Sequence, residues 1–207
     1  MLASTMLDPV IGLDFHLVGV PAPPSPVPIP TMIPMAFVGI VFDPAGLAVC
    51  SAISMAAGGG PGLVFVNDMP VTNTGTRATN FLTMPHSPAP GVMFMRPPCP
   101  SNDALLVFGS QGVTMGGSLA VRMGDIALSC SDPVRLPTSM VIALPKGAPV
   151  LINRPMVPDA KGIAIAMGVR VGIHALTRAI RAGAKPFRSL RRAQKKSVGW
   201  ARVSRGV

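Results

Sequence analysis

The 207-residue chain contains no glutamate and no tyrosine, only eight phenylalanines and one tryptophan, and just three cysteines, Cys50, Cys99 and Cys130. Each shortage removes a class of protein. Without glutamate there is no usual general base for a zinc hydrolase, and no G-x-S-x-G, H-E-x-x-H or Gly-Lys-Ser phosphate loop is present, so residues 1–158 are not expected to form an enzyme. An odd cysteine count without a C-x-x-C pair implies no disulfide framework and makes a reducing cytosol the natural compartment. With so few aromatics, any core must be built from Val, Ile, Leu, Met and Ala. Met1 to Leu13 lacks the basic start and continuous apolar run of a signal peptide. Residues 15–42 and 44–67 carry no formal charge, long enough on length alone to span a bilayer. The prolines of the first and Gly58-Gly59-Gly60-Pro61-Gly62 of the second cannot sustain an unbroken helix in lipid.

What is plentiful is apolar residues at 49%, with 24 Pro and 22 Gly. The net charge of +10 is unevenly placed. Residues 1–158 hold six basic groups against seven Asp, whereas residues 159–207 hold twelve against Asp159 alone. The chain therefore reads as a near-neutral body, 8–158, and a basic tail, 159–207.

Within the body, Val20 to Pro34 reads as extended, polyproline-like backbone that wraps the fold without joining a ladder, since each proline lacks a donor. Short apolar runs then recur between turn signals: Val64-Phe65-Val66, Leu105 to Phe108, Val113-Thr114-Met115, Met140-Val141-Ile142 and Val150-Leu151-Ile152. Each has strand length. Residues 64–76 overlay residues 113–125 at an offset of 49, each an apolar strand, an Asn/Asp/Gly turn, a second short strand and a Gly before a hydroxyl or acid. This is a hairpin written twice. Val150-Leu151-Ile152-Asn153-Arg154-Pro155 begins the same way a third time, and such hairpins must stack to bury their faces. In the tail, His174, Arg178, Arg181, Lys185, Arg188 and Arg192 form a polar stripe at helical period, opposite Val169, Ile173, Leu176 and Ile180. That face suits a solvated linker, an anionic membrane surface or nucleic-acid phosphates.

Several ordered motifs carry a resemblance: Asp14-Phe15-His16-Leu17-Val18, the Pro-rich segment, Gly62 to Asn67, Pro70 to Thr76, Met84-Pro85-His86, Phe108-Gly109-Ser110, Arg122-Met123-Gly124-Asp125 and Ser129 to Val134. Together they resemble the PAAR-like domain at the N-terminus of Rhs-family polymorphic toxins. The resemblance implies a small, mainly β cone of stacked hairpins that caps the trimeric VgrG-like spike of a bacterial type VI secretion system, one monomer on one trimer. It also implies carriage of, or connection to, an Rhs effector cargo. The location implied is the bacterial cytoplasm before firing and a target cell afterwards. The alternative is a short self-contained effector whose cationic tail acts on membranes or nucleic acid.

Family tips bind a structural zinc through three histidines and a cysteine. His16, His86 and Cys130 fall on matching motifs, while the remaining histidine position is occupied by Met35, a poor zinc ligand. Cys99, Cys50 or water could complete the site, or the metal could have been lost. On spacing alone these residues are two turn histidines and a buried cysteine. Arg122 and Asp125, at the end of a hairpin, read as a turn that caps local N–H groups.

Overall fold

The computed structural model describes residues 1–56, 58, 62–80, 86, 90–95, 102–164, 167–168, 171–172, 175 and 178, without the side chains of Cys50 and Ser54. Met1–Met167 form one compact unit and Gly168–Val207 a second. In the second unit, residues 168, 171, 172, 175 and 178 are helical. His174, Arg181 and the rest of the polar stripe, other than Arg178, lie outside the described residues, as do the four apolar positions opposite it.

The first unit is mainly β. Its elements are β1 (Pro9–Ala22), β2 (Ser25–Val41), α1 (Pro44–Ala56), β3 (Phe65–Val66), β4 (Met69–Pro70), β5 (Arg77–Asn80), β6 (Met93–Phe94) and β7 (Asp103–Leu106). There follow β8 (Phe108–Ser110), β9 (Thr114–Met115), β10 (Ser118–Leu119), β11 (Ile126–Leu128), β12 (Ser139–Val141) and β13 (Met156–Pro158). An antiparallel sheet runs β12-β11-β7-β5-β2-β1-β6, with β12 also pairing β1. The core lies against it and contains Val10, Val41, Leu106, Val121 and Val141 around the buried Phe37 ring. The aliphatic composition leads to this kind of core.

The Pro-rich segment departs from the expected wrap: it is a ladder strand, registered on β1 from Pro9↔Ile40 to Val20↔Ile29. The reason is parity. Val41 exchanges backbone bonds with Leu7 and Asp8 on the β1 side, while Phe42 N–H donates to Arg77 on the β5 side. Odd-numbered residues of β2 thus face β1 and even-numbered ones face the opposite edge. Pro28, Pro30 and Pro34 are all even, so the donors they lack are missing only from the edge that β1 does not use.

Helix α1 begins with Asp43, whose Oδ1 accepts the Gly46 N–H at 2.9 Å, followed by Pro44 in the first helical position. Among the described residues no helix is long and apolar enough to cross a membrane.

The two expected hairpins form. β3 and β4 turn through Asn67 and Asp68 at φ 48° and 62°, and β9 and β10 turn through Gly116 and Gly117 at φ 60° and 82°. Both turns need left-handed backbone at two successive residues, which Asn, Asp and Gly tolerate best. The third run behaves differently. Val150-Leu151-Ile152 does not fold back on the residues that follow; Leu151 pairs with Leu2, and Ile152 N–H donates to Met1 C=O at 2.8 Å. The second strand of this hairpin is therefore the N-terminal segment. Arg154 and Pro155 offer no left-handed turn, and Met156–Pro158 pair with β8 instead.

With residues 1–8 included, the pattern is threefold. Val71, Ala120 and Ala3 each donate at 2.8 Å to Val64, Val113 and Val150. The bridges Thr5↔Val71, Asn73↔Ala120 and Ala3↔Arg122 close a ring. Inside it, Ser4 N–H donates to Val121, Val121 to Thr72 and Thr72 back to Ser4, at 2.9, 3.0 and 2.9 Å. Each repeat ends in a left-handed residue, Leu7, Gly75 or Gly124, at φ 66°, 92° and 84°. Their N–H groups donate to Val41, Leu106 and Val141, the strands beneath.

Candidate metal centre

β1 and β2 carry the site away from the ring. Asp14 and His16 are two apart on β1, so both side chains leave the same face, and both are fully buried. Cys130 follows β11 and is also fully buried, and His86 is brought in from its own segment. The ligand atoms of Asp14, His16, His86 and Cys130 all lie within 4.8 Å of one another, so the four could hold a metal ion. The three residues expected from sequence are brought together, and the structure adds Asp14.

Asp14 Oδ2 lies 2.8 Å from Cys130 Sγ and 3.0 Å from His86 Nε2, and His86 Nε2 lies 3.2 Å from Cys130 Sγ. Donors around a tetrahedral zinc with bonds of about 2.0–2.3 Å stand roughly 3.3–3.8 Å apart, so Asp14, His86 and Cys130 need to spread by only a few tenths of an ångström, while His16, within 4.8 Å of them, has to close in. Oδ1 of Asp14 accepts the Cys130 N–H at 3.2 Å, which orients the carboxylate and leaves Oδ2 facing the other ligands. Among the described residues the His16 ring nitrogens have no hydrogen-bond partner, although the residue is fully buried. Its Nδ1 is 3.5 Å from the Asp132 carboxylate. An orphaned imidazole inside a protein is costly unless a ligand claims it, and a metal is such a ligand.

The electrostatics favour the ligating forms of two of the four. Burial lowers the His16 pKa and the charge of His86 adds to this, against Asp14 and Asp132, so the ring is held neutral. For Asp14, burial acts upward, but hydrogen bonds from His86 and Cys130 and the charges of both histidines prevail, and the carboxyl is held below its ordinary value. The Cys130 thiol is pushed far up by burial, the hydrogen bond to Asp14 and the Asp14 charge. Thiolate formation there therefore requires a cation to offset the carboxylate.

Met35 stands directly across the ladder from Asp14. Cross-strand partners share a face, so a carboxylate is supplied from β1 opposite the position where the resemblance expects a histidine on β2. The signal was present in the sequence as Asp14-Phe15-His16, two potential ligands at strand spacing. Cys99 lies outside the described residues, and so does the side chain of Cys50.

Arg122 and Asp125 do not form part of this cluster. They close the third turn of the ring, with Arg122 N–H on Asp125 Oδ2 at 3.0 Å and Nε on Oδ1 at 3.1 Å, and the guanidinium also bonds the Arg154 carbonyl. Thr5 and Asp8 make the same backbone-to-carboxylate bond at 2.7 Å. Asn73 and Thr76 occupy the equivalent positions, joined side chain to side chain at 3.0 Å. This is turn chemistry, repeated three times.

No protein-family model, no curated protein and no solved structure matches the chain.

Proposed function

We propose that residues 1–167 are a structural spike tip of the PAAR-like kind, seated on the end of a trimeric VgrG-like spike in a type VI secretion system, with the basic tail connecting an effector cargo. The observation that carries this reading is the threefold bonding of the ring. One chain that meets the end of a trimer on its axis must offer similar contacts in three directions, and a threefold-repeated surface does so. The outward positions of the three hairpins are Phe65, Thr114 and Leu151; Phe65 is 57% exposed and Leu151 is 69% exposed. Phe65 and Leu151 are apolar and have no occupant among the described residues.

The metal belongs to the same reading. Two neutral imidazoles, a thiolate and a carboxylate suit zinc, and an ion there ties β1, the His86 segment and the chain after β11 where few bulky side chains are available. Its role is structural.

The test is co-purification with the trimeric spike protein encoded in the same gene neighbourhood, read as mass of the complex. One chain per trimer is expected. The pair Phe65→Asp and Leu151→Asp should abolish the complex while leaving metal content and thermal stability unchanged. No complex with a well-folded spike, or a complex indifferent to that pair, overturns the proposal.

A further inference from the structure

Beyond the metal cluster the β1–β2 hairpin continues as a surface of unusual chemistry. From Phe15 to Phe42 there is no Asp, Glu, Lys or Arg. Val27 is 67% exposed and Ile29 is also exposed on one face of the ribbon, and on the other Met32 is exposed and Met93 of the adjoining β6 is 69% exposed. Proteins rarely leave such a group of side chains open to water unless something else receives it.

Both edges of this ribbon are short of donors. On the β1 edge, Phe15 N–H donates to Ser131 Oγ at 2.9 Å and Leu13 N–H to Thr138 C=O at 3.3 Å, while Val18 and Gly19 pair with β6. On the β2 edge, the even-numbered positions 28, 30 and 34 are proline and have no N–H. A partner strand needs both donors and acceptors along an edge, so these prolines exclude strand addition. A charged partner finds no counter-charge. An apolar phase bordered by water fits what is there: it receives the side chains, water at its boundary satisfies the outward carbonyls, and few donors are stranded.

We infer that the end of the β1–β2 hairpin, with Val27, Ile29, Met32 and Met93, inserts into the interfacial zone of a phospholipid bilayer. The inference stands apart from the reading of the ring and needs no spike partner.

The test uses the full chain with phosphatidylcholine vesicles, which carry no net charge, at high salt, where attraction of the basic tail is screened. The chain should float with the vesicles. The pair Val27→Asp and Ile29→Asp, both at exposed positions, should lower the partition coefficient at least about tenfold with an unchanged melting temperature. In a Val27→Trp, Trp200→Phe variant the indole should shift to the blue and be quenched by lipids brominated high on the acyl chain. The ring pair Phe65→Asp and Leu151→Asp should leave partition unchanged. Partition that ignores the hairpin aspartates, or that salt removes, assigns binding to the tail and overturns the inference. Absence of partition at all lipid concentrations also overturns it and leaves a protein groove as the occupant of this surface.

Discussion

The ring and the ribbon meet the same shortage of bulky side chains in different ways. The ring repeats one short hairpin three times and ties the copies together through backbone hydrogen bonds, with small side chains at its centre. The ribbon does not repeat. It draws four different polar side chains from β1, the His86 segment and the stretch after β11 into one buried cluster. Repetition spreads stability over many equivalent bonds, whereas convergence concentrates it at one point. Damage should therefore be graded in the ring and abrupt in the ribbon.

The largest effect is expected from His86→Ala. It removes a ligand and leaves the buried Asp14 carboxylate without the His86 Nε2 that lies 3.0 Å from it, so loss of bound metal by elemental analysis should accompany a destabilisation of about 3–5 kcal/mol in chemical denaturation. Full metal content in this variant would remove the centre from the ribbon. Asp14→Ala should likewise lose metal, and it separates a four-ligand site from one completed by another group.

Next is Asp159→Asn, immediately after β13. Its carboxylate accepts Thr74 Oγ1–H at 2.5 Å, Leu119 N–H at 3.0 Å and Gly162 N–H at 2.8 Å. Burial acts upward on its pKa, but these bonds and Lys161 hold it below the ordinary value. A depressed carboxyl contributes stability that is present above its unfolded value and is lost as pH falls through the folded one. Wild type and variant should differ by about 1–3 kcal/mol at pH 7 and converge in acid well below pH ~4. A gap that persists in acid would show that the contribution is not ionic.

A smaller effect tests the ring's equivalence directly. Thr72 is related to Val121 and is fully buried, and its hydroxyl has no hydrogen-bond partner among the described residues. Thr72→Val should stabilise by about 1 kcal/mol, because an unsatisfied buried hydroxyl is exchanged for a methyl of similar size. The smallest is Leu7→Gly. Leu7 holds φ 66° where its two counterparts are glycine, and it is 47% exposed, so relief of backbone strain outweighs the lost side chain. A gain of up to about 1 kcal/mol in thermal melts is expected after the entropy cost of glycine. A loss in either variant would mean that the repeats share bonding but not energetics.

The comparison also explains what was legible in the sequence. The two complete hairpins could be read from their turns, because Asn67-Asp68 and Gly116-Gly117 encode the reversal locally. The third could not, since Val150 to Ile152 finds its partner in residues 1–3 and no local turn records that pairing. The proline strand misled because each proline argues against a ladder when taken singly, whereas their shared parity allows one on a single side. Helix α1 was announced by Asp43-Pro44 but lay inside a run notable mainly for its lack of charge. At the ribbon, His16, His86 and Cys130 were recognisable from their motifs, while Asp14 was hidden by being an ordinary acid until strand spacing put it beside His16.

The open third hairpin also sets an order in time. Residues 1–4 leave the ribosome long before residues 150–152, with which residues 1–3 pair, so the ring cannot close until nearly the whole body has been made. At ordinary elongation rates of about 5–20 residues per second, that segment waits roughly 8–30 s with its edge unpaired. Closure then joins the most distant parts of the unit, the slowest kind of contact to form. Ring completion thus reports that synthesis of the body is finished, and a nascent chain stalled before residue 150 should hold two hairpins and an unclosed ring.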